Sequence, residues 1–187
     1  FEQPDFAIGA MSLKFDQIYH EHVSYFTSKN IEGILKNNEF KLIDIRQNHY
    51  HGGSLRSIAV KKNSVKHQVM YNKKNFKKFD KIYNLIFFKR MMKKINEKKS
   101  SFMKKIHLLK KNGYVICGIG AGAKSNTFLT YYDLNNKLIK FLTDASKFKQ
   151  KKFTPLTRIQ IKDDKEIKNY KKIACIILSW NISNLVI

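Results

Sequence analysis

The sequence predicts an α/β protein built on a mostly parallel sheet, and three observations point there. Beyond Gly113, short apolar runs alternate with helical ones in the order strand, turn, helix, strand, the pattern of a chain that crosses over between parallel strands. A glycine-rich turn, Gly118-Ile119-Gly120-Ala121-Gly122-Ala123, separates the first of these strands from the helix that follows. With 43% hydrophobic and 13% aromatic residues over 187 positions, the chain can bury a real core and is not disordered.

The elements follow in order. Phe1-Glu2-Gln3-Pro4 has no initiator methionine and reads as the end of a strand entering a turn, so we expect a piece of a longer protein. Residues 13–37 are helical in part, with Ser28 or Asn30 as the cap before Ile31, Ile34 and Leu35 at helical spacing. Residues 40–45 and 55–60 are rich in branched side chains and read as strands. Between them lies His49-Tyr50-His51-Gly52-Gly53-Ser54, a loop whose glycines suit a close backbone approach. Phe79, Ile82 or Tyr83, Ile86, Met91, Ile95, Phe102, Ile106 and Leu109 then recur every three to four residues among lysines. That spacing predicts one amphipathic helix or two, ended by Asn112-Gly113. We expect a strand at 114–117, the glycine turn, a helix at 124–132 and a strand at 138–142 running up to Asp144. Further strands at 158–161 and 173–178 flank a short helix at 165–170. No internal repeat of fixed period is present.

Composition narrows the function. The net charge of +23 suggests nucleic acid, but the basic residues are 33 Lys against 4 Arg, and phosphate and base recognition favour the forked guanidinium. Lys, Asn, Ile, Tyr and Phe make up half of the chain. All five have codons that start with two A or T bases, so we read the charge as a genomic bias carried on solvated faces. No apolar run approaches the roughly 20 residues of a membrane span, and no secretory leader opens the chain. Cys117 and Cys175 both fall in apolar strand-like runs, which predicts buried, reduced thiols in a cytoplasmic protein.

Three motifs carry chemistry. Gly118-x-Gly120-x-x-Ala123 fits the spacing of a nucleotide-binding turn. The first glycine permits the turn, the second lets backbone approach a phosphate, and the helix start offers free N–H groups. Lys124 stands where a phosphate would lie, and Asp144 ends the next strand, where an acid meets a ribose hydroxyl. A turn that serves only close packing is the competing reading. Tyr19-His20-Glu21-His22 is the densest cluster of proton-transfer groups. A carboxylate beside a histidine can fix its tautomer and raise its basicity, and in an extended segment Tyr19 and Glu21 share one face and the histidines the other. A chance grouping of polar residues on a surface turn competes with it. The His20/His22 and His49/His51 pairs have H-x-H spacing, but no cysteine or second carboxylate completes a coordination set, so we assign no metal. His51-Gly52-Gly53-Ser54-Leu55-Arg56 suits a phosphate or sugar hydroxyl, with Arg56 able to bind bidentately. Trp180 and Asn181 read as packing.

These segments together resemble one family, the S-adenosylmethionine-dependent sugar C-methyltransferases. The resemblance rests on Phe15-Asp16-Gln17-Ile18-Tyr19-His20-Glu21-His22, His51-Gly52-Gly53-Ser54-Leu55-Arg56 and Gly118-x-Gly120-Ala121-x-Ala123-Lys124-x-Asn126-Thr127 in this order. Asp144-Ala145-Ser146-x-x-Lys149-Gln150 and Leu178-x-Trp180-Asn181 extend it over nearly all of the chain. It implies a Rossmann-like C-terminal domain over residues 28–187, preceded at 1–27 by the last edge of the methyl-donor-binding domain. The S-adenosylmethionine site then lies mostly outside this chain, zinc belongs only to a further N-terminal module, and the isolated chain is inactive. The substrate implied is a nucleotide-linked 4-keto-deoxy sugar. His22 becomes the base, Glu21 orients it or binds the sugar, and Tyr19 positions substrate or stabilises an enolate oxygen. His51, Gly53, Ser54, Arg56, Gly118, Gly120, Ala121, Lys124, Asn126 and Asp144 lie near the nucleotide sugar. Lys151 and Leu156 stand where the family usually has glycines, which predicts a remodelled loop over 149–157. A non-catalytic nucleotide-sugar or dinucleotide-binding module is the alternative.

Binding to DNA or RNA is therefore expected to be weak and sequence-independent, driven by counterion release at low salt. Gel-shift titration at two salt concentrations checks this, and a nanomolar, sequence-dependent complex at physiological salt contradicts it.

Overall fold

The two sheets differ in kind, antiparallel before the long lysine-rich stretch and parallel after it. The computed structural model describes residues 1–187 apart from 65–66, 73, 77–78, 80–81, 83 and 181–187. Tyr83 and Asn181 thus lie outside the described residues. Two units result: Phe1–Lys14 with His22–Lys94, and Phe15–Glu21 with Ile95–Ile187.

In the first unit β1 (Glu2–Pro4), β2 (Phe40–Asn48) and β3 (Ser54–Lys61) form a sheet of order β1-β3-β2. Pro4 closes the edge strand β1, where a missing backbone donor is tolerated. Both β2 and β3 outrun the expected strands. Arg46, Gln47 and Asn48 pair with Arg56, Leu55 and Ser54, so cross-strand pairing extends β2 through polar residues that no apolar pattern marks. Helix α1 (Phe6–Met11) starts at Asp5, whose carboxylate accepts the Ala7 N–H at 2.9 Å and the Ile8 N–H at 3.4 Å. Burial pushes the Asp5 carboxyl up, against the opposing bonds from Gln47, Ala7 and Ile8. Helix α2 (Ser28–Asn37) is capped by Thr27, one residue before the expected Ser28. Thr27 keeps the extended backbone a cap requires, and Asn30 returns a bond to the Thr27 N–H at 2.7 Å. Ile31, Leu42, Ile45 and Leu55 form one buried cluster of this unit, and Ala7, Phe79 and Ile82 another.

Helix α3 is continuous over Leu85–Lys111, so the amphipathic stretch from Ile86 onward makes one helix. Gly113 follows it at φ +80°, the left-handed conformation that glycine adopts without cost. Strands β4 (Val115–Ile119), β5 (Phe141–Thr143), β6 (Ile161–Lys162) and β7 (Ile173–Ile177) are all parallel, in the order β6-β5-β4-β7, with α4 (Ala123–Tyr131) between β4 and β5. Counted from β4, that order is 3-2-1-4, the Rossmann-like arrangement, and the expected α/β class with a parallel sheet is observed. Its core gathers Ile116, Leu129, Leu134, Ile139, Leu142 and Ile159, each at most 2% exposed. Several boundaries move. Leu138 and Ile139 bond back to the Asn135 carbonyl and form a turn ahead of β5. Arg158 takes φ +53° and delays β6 to Ile161. The helix expected at 165–170 is a 3-10 helix, Asp164–Asn169, capped by Asp163.

Gly118 lies inside β4 and not in the turn. A Cβ built there falls 2.6 Å from Leu142 Cδ2 and 2.8 Å from Leu178 Cδ1. Lys151 and Leu156 keep left-handed backbone, at φ +68° and +60°. Both positions thus hold a conformation that glycine takes freely, at about 1 kcal/mol or more per residue. The cysteines differ from expectation. Cys117 is buried and Cys175 exposed, because β7 is the edge strand of the sheet. They stand in register on β4 and β7 with their sulfurs 3.3 Å apart. No helix among the described residues is long and apolar enough to cross a membrane.

Replacing Gly118 with Val forces Leu142 and Leu178 aside. Urea denaturation should show a loss of about 1–3 kcal/mol, the usual cost of overpacking a closed core.

Candidate functional site

The Tyr19-His20-Glu21-His22 segment follows a single 3-10 turn, Phe15–Gln17. The chain turns through residues 19–21 and is not extended there, so the alternation of faces expected for a strand does not apply. Tyr19 is half-buried, and its ring meets that of His20 edge-on at 6.1 Å. His20 and Glu21 are exposed, with Nε2 and Oε1 4.0 Å apart, a separation at which a surface ion pair contributes little. His22 is half-buried and faces Tyr25 edge-on at 6.4 Å. The boundary between the two units falls between Glu21 and His22.

The second group sits in the first unit, on the β2–β3 hairpin. His51 lies in the 3-10 turn Tyr50–Gly52. Gly53, at φ +123°, packs against Ile8, whose Cγ2 is 3.1 Å from where a Cβ would be; the close approach expected of this loop is to the protein's own α1. Lys14 Nζ donates to the Gly52 carbonyl. Ser54 and Arg56 converge on Glu2, a residue the motif reading missed. Ser54 Oγ donates to Glu2 Oε1 at 2.5 Å, Asn48 Nδ2 to the same oxygen at 2.7 Å, and Arg56 Nε to Glu2 Oε2 at 2.9 Å. The Ser54, Asn48 and Arg56 donors together hold the Glu2 carboxyl down at about 2. The signal was weak in sequence: Glu2 meets Arg56 and Ser54 through the antiparallel register of β1 on β3, more than fifty residues along the chain.

The third group lies at the carboxyl ends of β4 and β5. Gly120, at φ +91°, leaves no room for a side chain, since a Cβ there falls 1.8 Å from Ser179 Oγ. Asp144 does not stand clear at its strand end. Its Oδ2 accepts the Ala121 N–H at 2.9 Å and Lys149 Nζ at 2.9 Å, and its Oδ1 accepts the Ser146 N–H at 2.9 Å. Burial works to raise the Asp144 carboxyl, but the two amides and Lys149 outweigh it and hold the group low. Three of about four acceptor positions on the carboxylate are thus used. The Gly122 N–H is taken by Ser125 Oγ at 3.2 Å. Lys124 Nζ lies 5.7 Å over the Trp180 ring, a cation–π distance. Asn126 Oδ1 and Thr143 Oγ1 are buried without a hydrogen-bond partner among the described residues, and buried polar atoms left so are exceptions.

The structure therefore gathers Ser54 and Arg56 around Glu2 in one unit, and Gly118, Gly120, Ala121 and Asp144 around the end of β4 in the other. Among the described residues no group of three or more His, Cys, Asp or Glu side chains could hold a metal ion. Trp180, read from sequence as packing, donates its Nε1–H to the buried Asp16 at 2.5 Å.

Comparison with known proteins adds a family. The model of the C-methyltransferase C-terminal domain matches residues 49–187, three quarters of the chain. The chain is also 22% identical over 177 residues to the C-methyltransferase NovU of Streptomyces niveus, covering 93% of this chain and 42% of that protein. It spans about two fifths of the length of the curated relative it matches.

Glu2 makes stability pH-dependent in a definable window. Its folded pKa is lowered to about 2 from an ordinary 4.5, so its contribution is full above pH 4.5 and is lost as pH falls through about 2. Thermal melts of the wild type and Glu2→Gln should therefore differ by a constant amount above pH 5 and converge between pH 4.5 and 2.

Proposed function

Since this chain belongs to the C-methyltransferase C-terminal domain family, we propose that the whole protein transfers a methyl group from S-adenosylmethionine to a carbon of a nucleotide-linked keto-deoxy sugar. The observation that carries the reading is the Tyr19-His20-Glu21-His22 segment, set on a turn whose preceding residues Asp16 and Gln17 are buried.

His22 takes the proton from the carbon beside the ketone, and the electron pair of that C–H bond passes to the carbonyl oxygen as an enolate. The Tyr19 hydroxyl donates to the enolate oxygen, and Glu21 binds the sugar or orients the base. The enolate carbon then bonds the methyl carbon as the S–CH3 bond breaks, its electron pair staying on sulfur; the proton remains on His22 until solvent takes it. On the β2–β3 hairpin, Arg56 and Ser54, held by Glu2, are assigned to the nucleotide sugar together with His51 and Gly53. Gly118, Gly120 and Ala121 shape the loop at the end of β4, and Lys124 and Asn126 on α4 with Asp144 after β5 are the candidates there for contacts to a nucleotide sugar. The methyl donor is not assigned to the glycine turn of this chain. Gly118 and Gly120 are filled against Leu142, Leu178 and Ser179, and the Ala121 and Gly122 amides already have acceptors. We place the donor site in the domain that residues 1–27 complete, outside most of this chain. A reducing cytoplasmic setting suits two adjacent free thiols.

A non-catalytic nucleotide-binding module draws support from the 3-2-1-4 strand order. The occupied amides of the turn weigh against it, because a phosphate would have to displace Asp144 from Ala121.

The test uses the full-length enzyme, labelled donor and a dTDP-4-keto-deoxy sugar. Label should appear in a C–CH3 group, and label found only in an O-methyl ether refutes the reading. Replacing His22 with Ala or Asn should lower turnover about a hundredfold or more with little change in nucleotide-sugar affinity. His20 should be the more tolerant. Exchange of the proton beside the ketone, measured without donor, assigns the base: survival in the His22 variant and loss in the His20 variant would reverse the assignment.

A further inference from the structure

The turn that precedes Tyr19 is fixed by contacts far stronger than its length requires. Phe15–Gln17 is one 3-10 turn, yet Asp16 is only 5% exposed. A carboxylate taken out of water needs a partner, and Asp16 Oδ2 receives the Trp180 indole N–H at 2.5 Å, across 164 positions of chain. Trp180 stands just beyond β7, the strand next to β4. The preceding Phe15 ring lies 4.7 Å from that of Tyr131 and 5.9 Å from that of Tyr132, on and just after α4. An indole has one N–H with one direction, so this bond sets where the turn sits and how it is rotated. All of these contacts lie inside the second unit, which also includes Tyr19 and Glu21.

We propose that Asp16 and Trp180 are positioning residues: together they anchor the Phe15–Gln17 turn and thereby aim Tyr19 and Glu21. The inference rests on the methyl-transfer reading above for what the segment does, and on the geometry alone for how it is held. Neither residue touches the reacting atoms. Phe15 supplies the apolar footing and the Asp16–Trp180 bond supplies the direction. Loss of the indole N–H leaves the fold of the sheet intact but frees the turn, because the aromatic contact of Phe15 is less directional than a charged hydrogen bond.

Two measurements decide it. In the 187-residue chain, Trp180→Phe should raise amide hydrogen exchange over residues 15–21 by roughly tenfold while β4 and β5 stay protected, the signature of local opening. Unchanged exchange over 15–21, or equal acceleration everywhere, overturns the anchor. In the full-length enzyme the same variant should lower kcat about tenfold and leave KM for the nucleotide sugar within about twofold. Asp16→Asn, which keeps an acceptor oxygen, should retain most of the activity. A rise in KM at constant kcat, or an unchanged kcat, overturns the positioning role. A wild-type enzyme that transfers no methyl group sinks the functional reading, and the hydrogen-exchange arm still decides the anchor.

Discussion

The parallel sheet depends on an absence of side chain at the end of β4. Leu142 and Leu178 close over Gly118, and Ser179 fills the place beside Gly120. This lets the neighbouring segments meet around a strand with little bulk of its own, and a methyl group added at Gly118 would push the Leu142 and Leu178 side chains aside. With β4 pressed in, its loop comes within reach of β5. The Gly120 N–H bonds to the Thr143 carbonyl at 2.8 Å, and the Ala121 N–H bonds to Asp144. Glycine spacing that suits a ligand's phosphate here serves first the protein's own packing and its own carboxylate.

Charge follows the same rule of internal use. Lysines dominate the sequence, yet several are bound within the structure: Lys149 to Asp144 at 2.9 Å, Lys99 to Asp133 at 2.6 Å, Lys162 to Glu166 at 2.8 Å. Arg56, one of four arginines, is turned toward Glu2. Two carboxylates gather three donors each, of which one is basic: Asn48, Ser54 and Arg56 on Glu2, and the Ala121 and Ser146 amides with Lys149 on Asp144.

How much of this was legible in the sequence depended on distance along the chain. Local signals read well. The branched strands, the long amphipathic helix and the Gly113 stop rest on neighbours within a few residues. Thr27 as a cap was missed by one position, since Ser28 has equal chemistry and only the backbone angles separate them. β2 was read short, because Arg46, Gln47 and Asn48 are strand by virtue of their partners on β3. In the candidate site the proton-transfer segment was visible as residue types. Glu2 and Asp16 were not, since their partners lie 46 to 164 positions away. Lys151 and Leu156 were read as departures from glycine, and both hold left-handed backbone, which their residue types do not announce.

The two cysteines give the sheet a built-in gauge. Cys175 is open to solvent on the edge strand, while Cys117, its neighbour in register, is sealed within β4 and has its thiol pushed upward by burial, with Cys175 adding to the effect. A thiol reagent therefore meets one exposed sulfur and one that stays covered until the sheet opens around it. The ratio of the two labelling rates reads the opening of the sheet between the strand that carries the glycines and the strand that leads to Trp180, with both labelling sites native to the chain.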